Sequence, residues 1–101
     1  GLPVTAALEQ NYPNPFNSST TIPFALPTDG EVRLEIYDIL GQRIRTLAAQ
    51  DMPAGLHHIS WDGYDDGGRQ VAAGVFFYRL EVSFETGVPA FTEVRKLTLA
   101  E

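Results

Sequence analysis

The chain has 101 residues, of which 44% are hydrophobic and 20% are charged, and it contains no cysteine. This length suits a single compact domain, and the composition is that of a globular protein rather than a disordered one. Disulfides and thiolate metal sites are excluded. The formal net charge is −6, which disfavours nucleic acid or an anionic membrane as a partner. The longest apolar run, residues 71–78, is far shorter than the roughly 20 residues that span a bilayer, so no membrane insertion is expected.

The start of the chain predicts where the folded domain begins. It shows neither an initial methionine nor a signal peptide, so we expect a module excised from a larger protein. Residues 1–10 are mostly small and apolar and predict a linker or a loosely tied first segment. The domain itself is expected to cover residues 11–101.

Residues 11–17, with the sequence NYPNPFN, predict a stiff entry into the domain. The two prolines fix φ and keep the residues before them out of the helical region. Asn14 and Asn17 can close turns on their own backbone, while Tyr12 and Phe16 are apolar enough to pack on a core. We expect the fold to depend on this segment and on three later positions, the whole set being Asn11, Pro13, Asn14, Pro15, Phe16, Gly41, Trp61 and Gly63.

The rest of the chain alternates apolar and polar residues with period two between turn residues. This pattern predicts strands over residues 20–26, 31–38, 42–48, 56–62, 75–84 and 91–99. With no convincing helical period, about seven short antiparallel strands predict an all-β, immunoglobulin-like β-sandwich.

Individual strands carry more specific predictions. In residues 31–38 the side chains of Val32, Leu34 and Ile36 should face the core, while Arg33 and Glu35 face solvent. Gly41 suits a left-handed position in the following hairpin turn.

Two strands contain irregularities. Pro23 predicts an edge or a bulge in its strand. The apolar phase slips between Val94 and Leu97, which predicts a bulge near Arg95 and Lys96. The seven basic residues alternate with acidic and apolar ones, so we expect solvated strand faces rather than a basic patch.

No arrangement for catalysis is apparent, and we expect the domain not to be an enzyme. The two histidines, His57 and His58, are adjacent on a predicted strand and therefore point to opposite faces. One should pack beside Trp61 and the other should be solvated.

A loop of residues 62–68 concentrates aspartate and glycine, and we call it the aspartate loop. Asp62, Asp65 and Asp66 are hard oxygen donors of the kind that calcium prefers. The spacing is not that of an EF-hand, and the same residues are typical of any tight turn. A structural turn is favoured, a weak calcium site is the alternative, and no other cofactor is expected.

Four aromatic side chains outside the predicted core phases could form a platform for stacking sugars. They come from different strands and loops and share no spacing, so core or surface packing is the favoured explanation. The four are Tyr12, Tyr37, Tyr64 and Phe77.

Six motifs together resemble a known family. They are residues 8–17 with 20–22, then 36–44, 53–57, 61–68, 73–80 and 95–99. In this order they are similar to bacterial C-terminal type IX secretion sorting domains, and equally to the related immunoglobulin-like module of the flagellar hook-capping protein. The resemblance covers residues 8–99.

The resemblance implies a non-catalytic sorting module at the C-terminus of an exported catalytic or adhesin protein. The outer-membrane translocon would recognise it, and a C-terminal signal peptidase would cleave within residues 1–10 or exchange the module for a lipopolysaccharide anchor. The parent would travel through the periplasm to the outer-membrane surface or the medium. By position, the sorting-signal residues are Gly74, Tyr78, Lys96, Leu97 and Leu99.

Two other functions stay open. One is a structural or interaction spacer like that of the hook-capping protein. The other is a carbohydrate-binding accessory domain.

Overall fold

A computed structural model describes residues 3–101, which form seven β-strands. None of the described residues belongs to a helix long and apolar enough to cross a membrane. The strands are β1 (Ala7–Leu8), β2 (Thr20–Leu26), β3 (Gly30–Tyr37), β4 (Arg43–Met52), β5 (Gly55–Trp61), β6 (Gly74–Glu85) and β7 (Val88–Leu99).

The strands make two sheets. The small sheet has the order β1-β2-β5 and the large sheet the order β4-β3-β6-β7, with every neighbouring pair antiparallel. The prediction of an all-β, immunoglobulin-like sandwich is confirmed.

The core lies between the sheets and is built from the alternating apolar positions of each strand. Trp61, at the end of β5, is fully buried, and its ring centroid lies 5.7 Å from that of Phe16 and 5.5 Å from that of Phe76. The buried inward positions of the other long strands are Ile22, Phe24, Leu26, Val32, Leu34, Ile36, Tyr78, Leu80, Val82, Leu97 and Leu99.

Predicted strands and turns occur where the alternation is clear. The bounds of β2 are those expected, and β3 differs by a single residue at each end. In the hairpin turn Gly41 has φ of +80°, and the Asp38 carboxylate accepts N–H groups from Leu40 and Gln42, each at 2.9 Å.

The predicted bulge near Arg95 and Lys96 is wrong. The β6–β7 register runs without interruption from Gly74–Leu99 to Val82–Phe91, and the shift lies beyond it at Ser83. Val94 points outward and is 52% exposed. An apolar residue on the surface therefore looked, in the sequence, like a shift in the alternation of inward and outward positions. The connection between the predicted strands 75–84 and 91–99 is also shorter than expected, because β6 reaches Glu85 and β7 begins at Val88.

The expectation for Pro23 is also wrong. It lies in the middle strand of the small sheet, opposite His58, with no register shift. The neighbouring β1 has only two residues, and Glu9 donates its N–H to the Pro23 carbonyl at 3.0 Å. A residue paired directly with Pro23 would normally both donate a hydrogen bond to it and accept one from it. Proline has no N–H to donate, and this position lies opposite the point where β1 has already ended.

Part of the predicted linker 1–10 is built into the small sheet. Ala7 and Leu8 pair with Ala25 and Phe24, and Leu8 is only 2% exposed. The first two residues of that linker lie outside the described residues.

Candidate functional site

The segment 11–17 closes the free edge of β7. Phe16 donates its N–H to the Thr98 carbonyl at 3.0 Å and accepts the N–H of Ala100, while Asn14 Oδ1 accepts the N–H of Thr98 at 2.9 Å. The side chain of Gln10 donates to the Lys96 carbonyl at 2.9 Å. We call this contact between residues 10–16 and 96–100 the terminal clasp. It joins the first motif of the sequence to the last.

Asn11 ties the clasp to the core. Its side chain is buried and donates to Thr20 Oγ1 at 2.9 Å, and its backbone N–H donates to the Tyr78 hydroxyl at 2.9 Å. That hydroxyl donates in turn to the Glu9 carbonyl at 2.7 Å. Burial raises the pKa of the Tyr78 phenol, so the hydroxyl keeps the proton that this bond needs.

The two prolines of the segment follow cis peptide bonds, Tyr12–Pro13 and Asn14–Pro15. The Pro13 carbonyl accepts the Thr20 hydroxyl at 2.8 Å. Phe16 is buried as expected, but the expectation that Tyr12 packs on the core is wrong, because Tyr12 is 53% exposed. The Asn14 side chain accepts the N–H of Thr98 across the clasp, instead of closing the expected turn on its own backbone.

The predicted sorting residues divide between interior and surface. Leu97 and Tyr78 are fully buried and Leu99 is 7% exposed, so their side chains form the core. Lys96 is exposed, and Gly74 has a positive φ of +158° at the start of β6. A partner that contacts the folded domain therefore meets Lys96 and not the leucines beside it.

The carboxylates of the aspartate loop are engaged by protein groups. Asp62 Oδ1 accepts Arg45 Nη1 at 3.1 Å and the N–H of Tyr64 at 3.0 Å. Asp65 Oδ1 accepts the N–H of Arg69 at 2.9 Å. Among residues 3–101 no three histidine, cysteine, aspartate or glutamate side chains are grouped so as to hold a metal ion.

The same loop protects the edge of β4. Asp66 Oδ1 accepts the N–H of Thr46 at 3.1 Å, and the Asp66 N–H donates to the Ile44 carbonyl at 2.9 Å. Gly63 has φ of +77°, and the Trp61 indole donates to the Tyr64 carbonyl at 2.9 Å. These contacts give the aspartates a structural role.

The histidines are separated as predicted, but the packing expected for one of them is wrong. The His57 ring stacks on Phe24 with centroids 5.2 Å apart, and its Nε2 lies 2.7 Å from the Pro53 carbonyl. Trp61 instead contacts Phe16 and Phe76. His58 is exposed on the opposite face.

The sequence did not predict the cluster of arginines that lies on the outer face of the large sheet. Glu35, expected to face solvent, is only 2% exposed. Its carboxylate lies 3.5 Å from Arg33, 3.6 Å from Arg43 and 3.5 Å from Arg79. The expectation that the basic residues form no patch is therefore wrong, because three distant strand segments bring them together.

The protonation of Glu35 follows from this environment. Burial acts to raise its pKa, but a 2.8 Å hydrogen bond from the Tyr37 hydroxyl and the charges of the three arginines outweigh that effect. The pKa is held below its ordinary value of 4.5. Glu35 is thus ionised at neutral pH and positions the guanidinium groups around it.

Two bulges in β4 place its contribution to this face. The register with β3 shifts between Leu34 and Glu35 and again between Ile36 and Tyr37, which leaves Leu47 and Ile44 without direct partners. Both extra residues pack against the core. Each extra residue shifts the alternation of β4 by one position. As a result, Thr46 lies beside Glu35 and Arg43 lies beside Tyr37.

An apolar groove lies next to the arginine cluster. It has a volume of about 370 Å³ and is lined by Tyr37, Asp38, Ile39, Gly41, Phe77, Arg79 and Val94. Tyr37 and Phe77 are direct cross-strand partners, and the Arg79 guanidinium lies 5.2 Å from the Tyr37 ring centroid. Of the four aromatic residues considered for stacking sugars, these two meet here. The others lie elsewhere, Tyr12 beside the small sheet and Tyr64 in the aspartate loop.

The fold and its surface features define an immunoglobulin-like β-module in which its own loops cover part of each edge of the large sheet. Comparison with known families is more specific. The family model described as FlgD Ig-like domain matches residues 14–87, and the chain belongs to this family.

A solved structure shares the fold. A crystal structure of dimeric latent PorU from Porphyromonas gingivalis superposes with a TM-score of 0.76 at 22% sequence identity. The match covers 94% of this chain but only 9% of the PorU chain. No curated protein sequence matches this chain.

Proposed function

We propose that the domain is a non-catalytic sorting module for type IX secretion that delivers its parent protein to the cell surface. The observation that carries the proposal is the terminal clasp. It joins the first of the six motifs to the last, and Asn14 and Thr98, 84 residues apart in the chain, are in direct contact. A signal read as a folded shape requires this kind of closure, because the last strand then has one fixed geometry.

The proposed partners are the outer-membrane translocon, the C-terminal signal peptidase and the catalytic or adhesin domains of the parent. Proteolysis needs exposed backbone without strand pairing. Among the described residues 3–10 these conditions are best met between Pro3 and Ala6, because Val4 is 91% exposed and Ala7 begins β1. We expect cleavage there, which leaves the clasp intact.

Export of a reporter tests the sorting role. A fluorescent protein that carries a signal peptide for export to the periplasm and is fused to residues 1–101 should reach the surface of a type IX-secreting host, and the reporter with the signal peptide alone should remain in the periplasm. Retention of the fusion in the periplasm would overturn the proposal.

Variants of the fusion separate recognition from folding. Lys96→Gln changes an exposed side chain and should reduce export without lowering the melting temperature. Leu97→Ala should abolish export through loss of stability, since Leu97 is fully buried. Arg69→Gln, at an exposed position directly after the aspartate loop, is the matched charge control and should be exported normally.

A structural spacer is the second candidate function, and the FlgD Ig-like family match favours it. A spacer should support its parent equally well in the middle of a chain, whereas a sorting module should fail there. Placing the domain between two reporters distinguishes the two. A carbohydrate-binding role predicts retention on immobilised polysaccharide.

A further inference from the structure

The free edge of β5 differs from the edges of the large sheet, because no device protects it. β5 ends the small sheet, and its register with β2 runs without a shift from Gly55 to Trp61. The strand contains no proline and no aspartate, glutamate, lysine or arginine. Proteins usually protect an edge strand with such residues, with a bulge or with a covering loop. Loops cover part of each edge of the large sheet, whereas among residues 3–101 no strand or loop pairs with this edge.

The backbone pairing of β2 shows which groups of β5 are free. Tyr12 exchanges two hydrogen bonds of 2.9 Å with Thr21, so Thr21 directs its N–H and C=O groups toward the β1 side of the sheet. Because this direction alternates along a strand, the even-numbered residues of β2 bond with β5, where their partners are Gly55, His57, Ile59 and Trp61. The intervening residues Leu56, His58 and Ser60 therefore direct their backbone groups to the open edge.

The spacing of these free groups identifies the kind of molecule that fits them. Leu56 is 73% exposed, and His58 and Ser60 are exposed on the same outward face. Their N–H and C=O groups recur at every second residue, roughly 6.5–7 Å apart along the strand. Another extended polypeptide presents acceptors and donors with the same spacing, which is the basis of recognition by strand addition.

The inward face of β4 indicates which side chains such a strand would carry. Gln50 is paired directly with Val32, whose side chain is in the core, so both lie on the inward face of the large sheet. Gln50 is nevertheless exposed, and Met52, two positions further, is only half-buried. The large sheet has four strands and the small sheet three, so this part of β4 has no strand opposite it. A fourth strand beside β5 would cover these side chains.

We propose that the free edge of β5 binds an extended segment of another protein as a fourth, antiparallel strand of the small sheet. The segment pairs its backbone with Leu56, His58 and Ser60, and it turns uncharged, mainly apolar side chains at alternate positions toward Gln50 and Met52. Antiparallel pairing continues the arrangement of every neighbouring strand pair in the domain. A segment of about five residues matches the length of the open edge.

A second copy of the domain fits this edge less well. In a pairing of β5 with β5, the inward side chains His57 and Ile59 of each copy would lie along the seam. They already belong to their own core, since His57 stacks on Phe24 and Ile59 packs against the core cluster. The two β4 strands would also compete for the space beneath the seam. A segment without a core of its own avoids both conflicts.

Amide hydrogen exchange tests whether the edge is open. In the free domain the N–H groups of Leu56, His58 and Ser60 should exchange faster than those of His57 and Ile59, which bond to β2. Equal protection along β5 would refute the proposal, because the edge would then already be covered.

Binding of a designed peptide tests the occupant. The probe is a fluorescein-labelled peptide in which threonine and valine alternate over five residues between two terminal lysines, titrated against the domain by fluorescence anisotropy. We expect saturable binding with a dissociation constant below about 1 mM. When the valines face β4 in an antiparallel strand, the threonine N–H groups face β5. N-methylation of the threonines should therefore abolish binding, whereas N-methylation of the valines should preserve it.

Variants of the domain locate the site. His58→Pro removes one N–H from the free edge and leaves the bonds to β2 intact, so it should abolish binding at little cost in stability. His58→Ala keeps that N–H and should bind like the wild type. Gln50→Lys should weaken binding about tenfold, because the added strand would bury the new charge. Its matched control is Gln42→Lys, at an exposed position between β3 and β4, which should bind normally.

The outcomes are distinct. Absence of saturable binding, equal binding of the two N-methylated peptides, or equal loss in Gln50→Lys and Gln42→Lys would each overturn the proposal. Concentration-dependent dimerisation that His58→Pro abolishes would replace it with self-association. The edge belongs to the small sheet, whereas Lys96 lies on β7 of the large sheet, so peptide binding and reporter export can fail separately.

Discussion

The hydroxyl of Tyr78 is expected to be worth about 2 kcal/mol of folding free energy, and Tyr78→Phe tests this. The side chain is fully buried in β6, so phenylalanine preserves the packing and removes only the oxygen. Two hydrogen bonds then disappear, one from the Asn11 N–H and one to the Glu9 carbonyl.

The magnitude depends on which partner water can reach. Glu9 is exposed, so its carbonyl can exchange the lost bond for water. Asn11 is 2% exposed, and its N–H is left buried without an acceptor, which costs roughly 1–3 kcal/mol. For a domain of this size a loss of about 2 kcal/mol lowers the melting temperature by roughly 10 °C.

Thermal and urea unfolding measure the loss, and amide exchange locates it. The Asn11 amide should exchange faster in Tyr78→Phe, because the clasp opens more easily. Tyr12→Phe is the matched control, since Tyr12 is 53% exposed and should change stability by less than about 0.5 kcal/mol. If Tyr78→Phe were as stable as Tyr12→Phe, the hydroxyl would not anchor the clasp and our account of Asn11 would be refuted.

Three further predictions concern the other features. Because the pKa of folded Glu35 lies below 4.5, its ionic contacts stabilise the domain above that pH and the contribution is lost as pH falls through the folded value; Glu35→Gln should therefore lower the melting temperature at pH 7 and reduce its decline in acid. Leu97→Ala should cost about 2–5 kcal/mol in urea unfolding, whereas Lys96→Ala should cost less than about 0.5 kcal/mol, and equal losses would contradict the assignment of Leu97 to the core. Calcium at millimolar concentration should leave the melting temperature unchanged and produce no heat of binding, because the carboxylates of the aspartate loop already accept hydrogen bonds from N–H groups and Arg45. A saturable heat in a calorimetric titration would contradict this.

Local alternation predicted the sandwich well because an inward residue is apolar wherever one face of a strand is buried. It succeeded for Val32, Leu34 and Ile36 and for the strand bounds of β2. It failed at Val94, where an exposed apolar residue serves something other than the core. That residue lines the outer groove beside Tyr37 and Phe77 and has no part in the core.

The arginine cluster could not be predicted from local pattern. Arg33, Arg43 and Arg79 come from β3, β4 and β6, and only the sheet order and the two bulges of β4 bring them to one carboxylate. The sequence assigned Glu35 to the solvent-exposed face because alternation indicates only the face of the sheet on which a residue lies. It does not indicate which side chains cover that face. Burial by long side chains from neighbouring strands is a tertiary property.

The terminal clasp and the aspartate loop solve the same physical problem at two edges of the large sheet. An exposed edge strand offers unpaired N–H and C=O groups to other chains. Asp66 occupies the edge of β4 beside Thr46, and Asn14 with Phe16 occupies the edge of β7 beside Thr98. Through the register, both closures lie at the end of the sheet that carries the groove. Backbone pairing is therefore blocked on both sides at that end of the sheet, so any partner that binds there must be selected by side chains rather than by strand addition.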